Sequence, residues 1–170
     1  MLALFDLFWD ICLLRKGPED VPASLALLKL SLLVYGITGL LIMLVSMELA
    51  PALLQTALDM ALLGGLTYGV LSRRGYRTRF VQTLTALAGV GALLALITLP
   101  VVFWMDKETV DGSEAGLPLL VFLLLLGWSI AVVSHILQHA LSISRNQSIL
   151  YTLGYLFISM LLSKLLLLVS

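Results

Sequence analysis

Five long apolar stretches, at 25–47, 51–71, 80–104, 117–143 and 148–169, run along the chain with only short polar breaks between them. A helix rises about 1.5 Å per residue, so about 20 apolar residues cross a hydrocarbon core about 30 Å thick, and each stretch is that long. The pattern predicts an all-α polytopic membrane protein, with five transmembrane helices in one membrane domain over 1–170. Residues 1–16 form a shorter apolar segment of different character. Asp6 and Asp10 lie four apart on one helical face, while Leu2, Phe5, Trp9 and Leu13 mark another. This spacing predicts a short amphipathic helix, lying in the membrane interface or packed on the bundle through that same apolar face. Its positive charges, Arg15 and Lys16, follow the apolar residues, the reverse of a secretory leader. Gly17-Pro18-Glu19-Asp20-Val21-Pro22 then breaks the helix, and Ser24 is placed to cap the first span.

The polar breaks set an orientation. With a cytoplasmic N-terminus, the inner side collects Arg15, Lys16, Lys29, Arg73, Arg74, Arg77, Arg79 and Arg145, leaving Lys107 and Lys164 for the other side. Basic residues concentrate on the cytoplasmic side of membrane proteins, so this bias turns the N-terminus inward, and five crossings place Ser170 outside. The break at 105–116 holds Asp106, Glu108, Asp111 and Glu114 against Lys107, and reads as an acidic, solvated outer connection. On the inner side Arg73, Arg74, Arg77 and Arg79 cluster in one short break. Such a cluster attracts anionic headgroups at about 1 kcal/mol per charge. It serves as a topology anchor or as a docking surface for lipid or a partner.

Composition removes other classes. With 61% hydrophobic and 12% charged residues, the chain is far from the soluble norm of about a quarter charged. Ten basic residues are matched by ten acidic ones, which leaves no basic face for nucleic acid. Cys12 is the only cysteine, so no intrachain disulfide forms.

Within the spans, Ala57, Ala61, Gly65 and Gly69 recur every four residues, a stripe of small side chains that predicts close helix packing inside the bundle. Ser148, Thr152, Tyr155, Ser159 and Ser163 form a comparable small and polar stripe on the last span. Asp59 lies about 3 Å from the middle of the second span and Lys164 about 7 to 8 Å outward of the middle of the last. Their depths allow an ion pair; otherwise Lys164 snorkels to the outer interface and Asp59 is protonated or water-bound. His135 and His139 stand four apart on the fourth span, a spacing that suits metal chelation, although two ligands do not complete a site. The simpler reading has both histidines hydrogen-bonded in the bundle or touching headgroups.

The N-terminal segment with its Gly-Pro break, the five closely spaced spans, Thr83-Leu84-Thr85-Ala86-Leu87 opening the third span and Gly127-Trp128-Ser129-Ile130 in the fourth resemble bacterial Yip1-type membrane proteins. That resemblance implies a five-span fold in a bacterial inner membrane and transfers no catalytic residue. Eukaryotic members are linked to vesicle trafficking and small GTPases, and precede their spans with a long cytosolic region that these residues do not match. The expected function is that of a non-catalytic accessory subunit or scaffold, with membrane lipids and another membrane protein as partners. No cofactor or metal is expected, and no enzymatic constellation of nucleophile and base emerges. The alternative is a small transporter or proton-conducting element using Asp59, Lys164 and His135.

Overall fold

A computed structural model of the chain describes the backbone of residues 2–110 and 116–169 and the side chains of residues 4–108 and 116–164. It is all-helical, and among the described residues there is no strand. The order is α1 (Leu2–Cys12), a 3₁₀ turn (Pro18–Asp20), α2 (Leu25–Ser46), α3 (Leu49–Arg73), a second 3₁₀ turn (Arg77–Arg79), α4 (Phe80–Val110), α5 (Gly116–Leu141) and α6 (Arg145–Val169). Four of these helices, α2 to α5, are long and apolar enough to cross a membrane. Their outward faces fit that setting: Leu124 is 66% exposed and Leu150 on α6 is 71% exposed, within broad apolar surfaces that water would not tolerate. The chain is an integral membrane protein.

Local chemistry explains the boundaries. The Ser24 hydroxyl accepts from the amide of Leu27 and starts α2. Met47 and Glu48 turn the chain directly into α3. Gly75, at φ 79°, ends α3 in the left-handed conformation that glycine adopts without strain. Leu14 (φ 61°) and Ser142 (φ 52°) perform the same reversal after α1 and α5 with side chains that resist it. At the other end, α4 continues to Val110 instead of stopping at residue 104, so the first part of the expected acidic connection is helix. Charged side chains from Asp106 onward end an apolar run without ending a hydrogen-bonded helix. Asp111, Glu114 and Ser170 lie outside the described residues.

The core centres on α4, whose residues 83–90 are all buried. Its largest interface is with α2, followed by that with α5, which in turn packs on α6. Ile11, Cys12, Leu84, Leu87, Val90, Val132 and Ile136 form the main cluster. Two buried hydroxyls of α4 are satisfied one turn back along the chain: Thr83 donates to the Arg79 carbonyl at 2.8 Å and Thr85 to that of Val81 at 2.6 Å.

The N-terminal helix α1 packs on α4 and α5, but not through the expected face. Ile11 and Cys12 are fully buried with Leu7 and Phe8 beside them, while Phe5 and Trp9 stack on each other and Leu13 is exposed. Phe8 sits against Gly89, nine residues into α4, so α1 lies about 13 Å inside the arginine end of the bundle. The first apolar face is turned outward because Ile11, two residues from Trp9, carries the complementary surface.

Candidate functional site

Asp59 is the polar centre of the bundle. Its carboxylate accepts from the Tyr35 hydroxyl on α2 at 2.5 Å and from the Tyr155 hydroxyl on α6 at 3.0 Å. Three helices are thereby tied near mid-span. Gly91 on α4 makes room for this arrangement, since a Cβ there would stand 2.7 Å from the Tyr35 ring. Of the two readings of Asp59 and Lys164, the ion pair does not form: both carboxylate oxygens are engaged by phenols, and Lys164 is exposed. A neutral phenol reaches this part-buried carboxyl group without the desolvation of an ammonium.

The polar stripe of α6 points inward around this centre. Ser148 shares a 2.9 Å hydrogen bond with Ser134 of α5, Thr152 is buried, and Gln55 of α3 donates to Ser163. The small-residue stripe of α3 does the opposite. Ala57, Ala61 and Gly65 are exposed, and a Cβ at Gly65 or Gly69 would meet nothing within 4 Å. The stripe therefore does not pack this bundle; α3 buries Leu63, Thr67 and Leu71 instead.

His135 and His139 hold the N-terminal segment. His135 Nε2 lies 3.2 Å from the Lys16 carbonyl, and His139 Nδ1 lies 2.8 Å from Glu19 Oε1. Further along, the Trp128 indole donates to the Cys12 carbonyl at 3.0 Å, so α5 grips the segment at three levels. Asp10 is taken by Lys16 at 2.9 Å. Among the described residues no group of three His, Cys, Asp or Glu side chains is arranged to hold a metal.

The arginines divide in two. Arg79 donates to the carbonyls of His139 and Ala140 and lies within 3.3 Å of the Ser142 hydroxyl, capping the carbonyl-rich end of α5, and its guanidinium stacks 4.8 Å over Tyr76. Arg74 reaches the Tyr151 hydroxyl of α6 at 3.4 Å. Arg73 and Arg77 are exposed. Two of the four thus serve the fold, and the cluster is not a uniform docking surface.

Tyr35 is the site residue that the sequence reading passed over. It carries a readable signal: Tyr35 and Asp59 each lie twelve residues from Met47, so a tight hairpin there places them opposite one another. Lys164 and His135 are not brought to Asp59.

No family model, curated protein or solved structure matches the chain.

Proposed function

We propose that the protein is a non-catalytic integral membrane subunit that works by packing, helix against helix, with another membrane protein. The observation that carries this reading is the outward turn of the α3 stripe: Ala57, Ala61 and Gly65 present a smooth ridge that is exposed among the described residues. Small residues let helix backbones approach closely, which is the main source of association where lipid tails are as apolar as leucine. In this reading α6 is a fifth crossing, the arginine end faces the cytoplasm, and the membrane is the bacterial inner membrane that the Yip1-type resemblance implies.

The transport alternative has one observation in its favour, the Asp59 carboxylate near mid-span. Against it, Lys164 and His135 stand apart from that carboxylate and supply no continuous path. Gly65→Leu separates the two readings, because Gly65 is exposed and a Cβ there meets nothing within 4 Å among the described residues. Affinity recovery from native membranes should then lose the partner at least fivefold, with the thermal midpoint of the purified variant unchanged. A photo-cross-linker at Ala61 should capture protein. Unchanged recovery with cross-links to lipid alone would sink the association reading, and ion flux abolished by Asp59→Asn would replace it with transport.

A further inference from the structure

Helices α3 and α6 part around a cavity of about 300 Å³. It runs from Val70 and Leu150 near the arginine end to Tyr35 and Tyr155 at mid-bundle, with Leu66 and Leu137 among its walls. Its deep end offers little to a polar ligand, because the hydroxyls of Tyr35 and Tyr155 are both committed to Asp59. The mouth has the opposite chemistry. Tyr151 lines the cavity and holds the Arg74 guanidinium, which stands one helical turn beyond Val70 on the same side of α3. That contact is with a neutral phenol, and the ion pairs found among the described residues, Lys16–Asp10 and His139–Glu19, leave Arg74 without a carboxylate. An apolar pocket of this size that ends at an uncompensated guanidinium matches an amphiphile with a hydrocarbon body and an anionic head.

We propose that this cavity binds an acyl chain of an anionic phospholipid from the adjacent leaflet, with the lipid phosphate on Arg74 and Tyr151. The proposal rests on the membrane setting described above and is independent of any partner on the α3 ridge. The Gly154 wall keeps the space open: a Cβ there meets nothing within 4 Å, so a larger side chain at that position fills the cavity without a clash at its base.

Native mass spectrometry of the full chain tests it, with phosphatidylglycerol, phosphatidylcholine or inorganic phosphate added to the detergent-solubilised protein. A single phosphatidylglycerol adduct should survive activation that strips phosphatidylcholine. Gly154→Leu should lower that adduct at least tenfold, and Leu66→Phe fills the same space from α3 should the first variant lose its helical circular dichroism. Arg74→Gln should lower phosphatidylglycerol at least fivefold and leave phosphatidylcholine unchanged, with Arg74→Lys restoring part of the loss. Gly65→Leu, on the outward ridge, should leave the adduct intact, so that loss of a protein partner and loss of the lipid are told apart. Equal retention of both lipids, displacement by inorganic phosphate alone, or an adduct indifferent to folded cavity-filling variants would overturn the proposal.

Discussion

A carboxylate near the middle of a span needs donors, and Asp59 finds two phenols where its depth also allowed the Lys164 ammonium. Interhelical hydrogen bonds in membranes average about 0.6 kcal/mol and reach about 1.7. Tyr35→Phe and Tyr155→Phe should each cost about 1 kcal/mol, and together more than their sum, because the second change leaves the carboxylate without either phenol. Unfolding in detergent checks this, with Lys164→Met expected to leave the midpoint unchanged; additive losses would mean that the two hydroxyls act separately. Asp59 was legible as a group in need of a partner, since its residue type and depth are plain in the sequence. The partner was not, because charge drew attention to Lys164 while the hairpin at Met47 had already placed Tyr35 opposite. Depth alone ranks partners poorly when helix neighbours are unknown.

At the scale of elements, periodicity identified faces without saying what they meet. The stripe on α3 and the stripe on α6 look alike as spacings, yet one faces outward and the other carries Ser148, Thr152 and Tyr155 into the bundle. The difference lies in hydrogen bonding: hydroxyls gain from interhelical partners, whereas alanine and glycine are equally at home against lipid. In α1 both faces are apolar, so the sequence could not rank Phe5 and Trp9 against Phe8 and Ile11. The seat on α4 decides, since a Cβ at Gly89 would stand 2.4 Å from the Phe8 ring. Gly89→Leu should therefore lift α1 and uncover Cys12. Burial pushes the Cys12 thiol up from 9.0 to about 11, so the fold favours its neutral form; that contribution is complete below about pH 9 and is lost as pH rises through about 11. Maleimide labelling of the native protein should stay slow through pH 9, whereas Gly89→Leu should label at pH 8 as fast as the unfolded chain. Rapid labelling of the unmodified native protein at pH 8 would contradict the seat.

For the whole molecule, apolar length was the most legible quantity. The four helices α2 to α5 fall within a few residues of the expected stretches, except where α4 runs on to Val110. Length is set by membrane thickness and needs no knowledge of neighbours, whereas the order of helices around α4 depends on pairings that no spacing encodes. Orientation rests on the arginine bias, and reporter fusions after Arg77 and after Ser170 should read cytoplasmic and external respectively; an external Arg77 would reverse it. The docking of α1 also has a bearing on how the chain is made. The contacts that α1 and the segment after it make with α5 join residues 116 to 120 positions apart. At a synthesis rate of about 5 to 20 residues per second, the ribosome needs on the order of ten seconds after making α1 to produce the α5 side of the surface that receives it. During that interval the N-terminal helix has its seat on α4 but lacks the α5 side of its site, so its docking is completed only once α5 has been made.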